Sequence, residues 1–227
     1  MNKKVLKVLV LLISIFSYKT VMAESITTHS TMSHTKEEII EKYNSSKSKF
    51  NYSSSVYRDI PIDYAPYKEG SLKSEVESDV LNHLNFYRWL QGINEVSINT
   101  SRQSANQKGA LIMAANGYLS HKPSRPSNMD DDFYYTGYEA CGSKTNTFQG
   151  NISMGIRIDL TPEAFITDNT NIEANVAHRS SMLNPYAKQV SFGYAYGFST
   201  MSIYYDNTNS NKDSYYAWPP AGYFPIE

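Results

Sequence analysis

Five histidines are spread along the 227-residue chain, and their settings differ. His29 and His34 lie in a polar N-terminal stretch, and His83 falls off the apolar stripe of a helical pattern, as a surface or rim residue would. His121 and His178 stand at element boundaries, where side chains can converge on a cleft. The first sits in Leu119-Ser120-His121-Lys122-Pro123; the second opens His178-Arg179-Ser180-Ser181-Met182-Leu183-Asn184-Pro185. Neutral imidazoles ligate zinc and titrate near physiological pH, so such a pair can hold a metal ion or line a hydrogen-bonded groove. Arg179 can bind a carboxylate or phosphate, or bridge a buried acid.

Other chemistries find less support. His-Glu-x-x-His, a Gly-x-Ser-x-Gly elbow and a phosphate-binding loop are absent. Ser153 in Asn-Ile-Ser-Met-Gly resembles an elbow only superficially, and a triad built on Ser120 or Ser153 stays open on paper. Asp130-Asp131-Asp132 lacks the alternation and glycine of a calcium loop and reads as a solvated acidic turn. Cys141 is the single cysteine, so no internal disulfide can form. It reads as a small buried thiol rather than a nucleophile.

The N-terminus combines Lys3, Lys4 and Lys7 with an apolar run over 5–16 and small residues at Val21-Met22-Ala23. That pattern predicts a signal peptide over residues 1–23, and hence a secreted or cell-surface protein without a transmembrane helix in its mature form. The segment holds four of the 21 basic residues and none of the 22 acidic ones, leaving 17 against 22, a net charge of −5. No strongly basic face follows, and nucleic acid is not expected as a partner.

The elements that position the histidines follow from periodicity. Residues 24–70 read as a polar spacer or strap with one helical stretch over 35–43. Leu72, Val76, Val80, Leu84, Tyr87 and Leu90 predict a helix over 72–90, capped at Gly92. A second helix starts near Ser101, with Thr100 and Gln103 at capping-box spacing, and ends before Pro123. Residues 122–142 read as a loop or short helix carrying Tyr134, Tyr135 and Tyr138 over a groove. Strands are expected over 150–158, 190–196 and 200–205, the last two joined by a turn at Gly197. Between them, Thr161-Pro162-Glu163 starts one helix and 172–183 forms another. The tail 215–227 reads as an aromatic strap. Helices first, then strands, give an α+β domain over 71–227.

Four segments in this order resemble the CAP superfamily (cysteine-rich secretory proteins, antigen 5 and pathogenesis-related 1), also called SCP-like extracellular domains, in a divergent bacterial branch. They are Asn85-Phe86-Tyr87-Arg88 with Gly92, Ala114 to His121, Gly150-Asn151-Ile152, and His178 to Pro185 followed by Val190-Ser191-Phe192-Gly193. The resemblance implies a three-layer αβα sandwich. It also implies a central cleft faced by two histidines and two glutamates that in some members binds zinc or another divalent cation. His121 and His178 take the histidine positions. The Gly-Glu-Asn glutamate has no counterpart, because its place falls at Gly150-Asn151; Glu173, or alternatively Asp168, is the candidate second acid.

The functional expectation is a secreted, non-enzymatic binding module. Its groove would be formed by His121, His178, Arg179, Asn151, Tyr134, Tyr135 and Tyr138, and would receive a small apolar or peptide-like ligand, or a host or cell-wall component. One alternative is a divalent-metal hydrolase with zinc or another cation on His121, His178 and Glu173. Another is a cell-surface adhesin or interaction module.

Overall fold

Thr35 opens the first helix in a computed structural model that describes residues 34–142, 148–169, 176–205 and 218–219. Its hydroxyl accepts the Glu38 N–H at 3.2 Å while the Glu38 carboxylate accepts the Thr35 N–H at 2.8 Å, a reciprocal capping box. This helix, α1 (Lys36–Ser46), buries Ile39 and leaves Ile40 exposed. The chain then runs as a strap through β1 (Tyr57–Asp59) and β2 (Ser71–Leu72), a two-stranded antiparallel pair.

Buried carboxylates hold the strap down. Asp79, almost fully buried, accepts the N–H groups of Lys49 and Phe50 and the Tyr52 hydroxyl. Asp159 accepts the Ser48 hydroxyl at 2.5 Å and pairs with Arg157 at 2.6 Å. Burial alone would raise the Asp159 pKa; the hydrogen bonds from Arg157 and Ser48, with the charges of Arg157 and His83, outweigh it and hold the group below the usual carboxylate value.

The predicted apolar stripe forms α2 (Ser74–Leu90), burying Val76, Val80, Leu84 and Leu90. Gly92 follows with φ +68°, the left-handed position that ends such a helix. His83 corrects the surface expectation. It is buried, with Nδ1 2.6 Å from the Asp159 carbonyl, because the segment leading into residues 158–160 covers that side of the helix. Asn85 and Arg88, one helical turn apart, also turn inward. The Asn85 amide donates to the Val96 carbonyl and accepts its N–H, both at 2.9 Å. The Arg88 guanidinium, 0% exposed, donates to the carbonyls of Asn94, Met182 and Asn184 at 2.8, 2.7 and 3.0 Å. Desolvation lowers its pKa to about 10.

After β3 (Ser97–Ile98), a 3₁₀ turn over Thr100–Arg102 leads into α3 (Gln103–Asn116). The expected capping box does not form; the Gln103 side chain instead accepts the Phe192 N–H and donates to Glu77. The helix stops at Gly117, φ +73°, well before Pro123. Next comes α4 (Asp131–Ala140), with Asp130 as its cap, accepting the N–H groups of Asp132 and Phe133. The acidic run therefore starts a helix. The α3–α4 contact is made glycine on glycine: a Cβ on Gly137 would lie 2.8 Å from the Gly109 nitrogen, and one on Gly109 2.8 Å from the Gly137 oxygen.

The remaining strands are β4 (Phe148–Met154), β5 (Ala187–Ala195) and β6 (Phe198–Tyr205). With β3 they form a four-stranded sheet in the order β3-β5-β6-β4, parallel between β3 and β5 and antiparallel elsewhere. Tyr196 and Gly197, at φ +48° and +89°, make the tight β5–β6 turn. Strand β4 ends at Met154, earlier than expected. Gly155 turns the chain, and Ile158 is buried in a 3₁₀ turn before α5 (Thr161–Thr167). Last among the helices is α6 (Ala177–Met182), whose expected start at 172 lies outside the described residues.

One sheet face carries Val190, Phe192, Met201 and Ile203 into the core shared with α2 and α5. The other packs Ile152 and Phe198 against Met113 of α3. Helices on both faces give the α+β, αβα layering. Trp218 packs edge-on to Tyr87, ring centroids 5.8 Å apart; most of the tail lies outside the described residues.

Two consequences are measurable. Arg88→Met leaves buried carbonyls without donors, at about 1–3 kcal/mol each, so urea unfolding should show a loss of about 3 kcal/mol or more; a loss under about 1 kcal/mol contradicts the clamp. Asp159, with its folded pKa lowered, stabilises the fold above the usual carboxylate value and loses that contribution as pH falls through the folded pKa. Asp159→Asn should therefore flatten the acid limb of the stability–pH profile, and an unchanged limb would refute that role.

Candidate functional site

The start of the edge strand β4 supports both candidate histidines. Gly150 lies against the end of α4, where a Cβ would come 2.7 Å from the Ala140 carbonyl and 3.3 Å from the Gly142 Cα. Gly142 in turn lies under His121: a Cβ there would sit 2.1 Å from the imidazole Nδ1. From the next position, the Gln149 amide reaches the carbonyl of Ala177, beside His178, at 3.4 Å. Successive strand residues face opposite layers. Gly150 thus packs on the segment that His121 lies against, and Gln149 reaches the residue preceding His178.

This packing also accounts for the missing glutamate. Any side chain at 150 would collide with the Ala140 carbonyl, so an acid cannot occupy that position without moving α4. Asn151 is fully buried; its Nδ2 donates to Ser181 Oγ at 3.1 Å and the Met201 carbonyl at 3.0 Å, while its Oδ1 has no hydrogen-bond partner among the described residues.

His121 lies in the segment that follows Gly117. Its Nδ1 is 2.6 Å from the Cys141 carbonyl, which can only accept, so Nδ1 carries the proton and Nε2 of the neutral ring keeps its lone pair. The ring is exposed. Beside this segment the α4 tyrosines cluster: Tyr134 lies 5.2 Å from Tyr135 and 5.5 Å from Tyr138 between ring centroids. The Tyr134 hydroxyl donates to the Pro123 carbonyl at 2.9 Å, fastening the cluster to the His121 segment. Burial and then the neighbouring phenols, Tyr118 among them, raise the Tyr134 pKa. Tyr118 accepts the Ser124 N–H, and its hydrogen bonding with Ser124 holds that phenol below the usual value. Tyr135 is 65% exposed, Tyr118 and Leu119 41% each. Tyr118 and Leu119 were not among the residues expected from the sequence. Their only sequence signal is position, immediately after a helix-ending glycine.

His178 is held differently. Asp168, at φ +48° and nearly buried, ends α5 and points its carboxylate at the start of α6. It accepts the backbone N–H groups of His178 and Arg179 at 3.1 and 3.2 Å and the His178 Nδ1–H at 2.9 Å. Phe165 packs on the ring at 4.8 Å. Arg179 is committed as well: Nε and Nη2 donate to the carbonyls of Ile166 and Thr167, both at 2.5 Å, closing the end of α5.

Both imidazoles thus present Nε2, the orientation a metal ligand or proton acceptor needs. The donor set is otherwise thin. Glu173 lies outside the described residues, Asp168 is already engaged, and among the described residues no three His, Cys, Asp or Glu side chains converge to hold a metal ion. Cys141 is buried against the Gly109 carbonyl, and desolvation pushes its thiol up to about 12, which makes it a poor nucleophile. Ser153 is buried against Ser199 at 2.5 Å and has no histidine partner among the described residues. Among the described residues no helix is long and apolar enough to cross a membrane.

One solved structure that the chain resembles is an extracellular protein containing a SCP domain from Bacillus anthracis. The two share 14% identity over 62% of this chain and 46% of that one, with a TM-score of 0.39; the chain thus spans under half of that protein's length. No curated protein matches. The model of the CAP, or cysteine-rich secretory protein, family matches residues 81–206, which is more than half the chain and runs from within α2 to the end of β6. On that match, the chain belongs to the cysteine-rich secretory protein (CAP) family.

Proposed function

We propose that this CAP-domain chain is an extracellular, non-enzymatic binding module that receives a small apolar or peptide-like ligand on the aromatic face beside His121. The observation that carries this reading is the cluster of Tyr135, which is exposed, with the half-buried Tyr134 and Tyr138, and the exposed Tyr118 and Leu119 alongside. Tyrosines offer broad apolar contact at little conformational cost and keep a hydroxyl for orientation. Here the cluster is pre-ordered by the Tyr134–Pro123 hydrogen bond, which lowers the entropy lost on binding. The free Nε2 of His121 supplies one polar contact at its edge. Asn151 and Arg179, buried or committed to backbone carbonyls, act in this reading as supports. A ligand of this kind is consistent with a host or cell-wall component.

A second reading has its own observation, the shared presentation of Nε2 by His121 and His178. A zinc ion held by these two and Glu173 would lower the pKa of a bound water and make hydrolysis possible. The chain's own contribution would be tautomer control, by the Cys141 carbonyl at one ring and Asp168 at the other.

Two measurements separate the readings. Binders selected from a displayed peptide library should lose at least about tenfold in affinity on Tyr135→Ala or Tyr138→Ala, the scale of an aromatic contact in a binding site. Tyr64→Ala, at another exposed tyrosine, should leave affinity unchanged; no selected binder, or equal losses at all three, would remove the binding reading. Calorimetric titration with zinc should show stoichiometric uptake, lost in both His121→Ala and His178→Ala, only if the metal reading holds.

A further inference from the structure

The β5–β6 turn gathers a second set of tyrosines against the strap. Tyr57 of β1 has Tyr194 of β5 and Tyr196 of the turn as ring neighbours, with centroids 6.3 and 6.2 Å away. Tyr57 and Tyr194 are half-buried against the core cluster of the sheet, while Tyr196 is 48% exposed. Ile60, next to the proline that Tyr196 reaches, is 65% exposed.

Each ring is fixed through its own oxygen. Tyr57 Oη accepts the Tyr196 N–H at 2.9 Å, Tyr194 Oη accepts the Gly197 N–H, and Tyr196 Oη donates to the Pro61 carbonyl at 2.5 Å. The first two contacts use only an oxygen lone pair. The O–H groups of Tyr57 and Tyr194 therefore remain donors, and neither meets an acceptor among the described residues. Burial pushes the Tyr57 phenol up to about 12, which keeps its proton in place across the physiological range. At the edge stands Asp63, close enough that its charge, after burial, raises the Tyr196 phenol. Its carboxylate has no ion-pair partner among the described residues.

A partner for this surface has to bring apolar bulk, carbonyls without matching N–H groups, and a positive charge. An ordinary extended peptide carries one N–H for each carbonyl, and a glycan brings a donor with every hydroxyl. Proline alone among residues offers a carbonyl and no N–H. A run of prolines also holds the polyproline II conformation before it binds, so little entropy is lost when it docks on rings that are already fixed. Aromatic surfaces with hydroxyl donors recognise such segments in this way, and an acid at the edge selects a basic residue flanking them.

We propose that the surface formed by Tyr57, Tyr194 and Tyr196 binds a proline-rich segment of a partner polypeptide. Its carbonyls accept from Tyr57 and Tyr194, and a flanking Lys or Arg pairs with Asp63. The site uses none of the α4 tyrosines and neither His121 nor His178.

The test is calorimetric titration with acetylated decaproline and with the same peptide carrying an arginine at each end. Saturable binding of both is expected, tighter for the arginine-tipped peptide. Tyr57→Phe/Tyr194→Phe keeps the rings and removes the donors, and should weaken both peptides by about tenfold, the scale of two neutral hydrogen bonds. Asp63→Asn should lower the arginine-tipped peptide to the affinity of plain decaproline and leave the latter unchanged. Tyr135→Ala, on the α4 face, should change neither, so failure here leaves the reading of that face standing. Thermal unfolding of each variant confirms that it folds. Absence of saturable binding for both peptides, equal affinity in the wild type and the double phenylalanine variant, or an arginine preference that survives Asp63→Asn overturns the proposal.

Discussion

A helix of six residues has too few internal hydrogen bonds to persist by itself, so α6, and with it His178, depends on what grips its two ends. At the N-terminal end the grip is the Asp168 carboxylate, which receives two backbone N–H groups and the imidazole Nδ1–H of His178. At the C-terminal end it is Arg88, whose buried guanidinium takes the carbonyls of Met182 and Asn184 and the loop carbonyl at Asn94. A charged group with no carboxylate partner among the described residues is tolerated in this core because several carbonyl dipoles share its charge. The strain at the entrance, where the β-branched Val176 adopts φ +47°, fits a segment held from outside rather than one that settles by its own preference.

The second imidazole is held by shape rather than charge. Gly150 lets the end of α4 approach β4, and Gly142 leaves room for His121 to lie on the backbone and reach the Cys141 carbonyl. The same closeness excludes a glutamate at position 150. The packing that sets His121 Nδ1 thus also removes one place where an acid would stand. The α4 tyrosines are fastened to the His121 segment through the Tyr134 hydroxyl and the Pro123 carbonyl, and Tyr135 is the exposed member of that cluster.

Most of this architecture was legible wherever one periodic signal dominated. The stripe from Val76 to Leu90 located its helix, and β5 and β6 form where strands were expected, with the turn at Gly197 between them. Failures came where a tertiary contact or a further local signal overrode the pattern that was read. His83 sits off the stripe yet is buried, because the non-periodic segment leading to the 3₁₀ turn at residues 158–160 covers it. The second helix does end before Pro123, and Gly117 sets the place with a left-handed residue. The acidic run at 130–132 read as a solvated turn; in place, Asp130 is a helix cap. The aromatic groove residues were named from type alone, and nothing in their spacing indicated that Tyr134 would be fastened to Pro123.

The account's central claim is that both candidate histidines are locked through Nδ1 and present Nε2 outward. Long-range ¹H–¹⁵N correlation spectra of the imidazole nitrogens, recorded above the pH at which the rings are protonated, read this directly. The contacts with the Cys141 carbonyl and the Asp168 carboxylate predict a single neutral tautomer for His121 and for His178, protonated at Nδ1 with an unprotonated Nε2. Signals from an Nε2–H tautomer, or averaging between the two forms, at either residue would contradict the account.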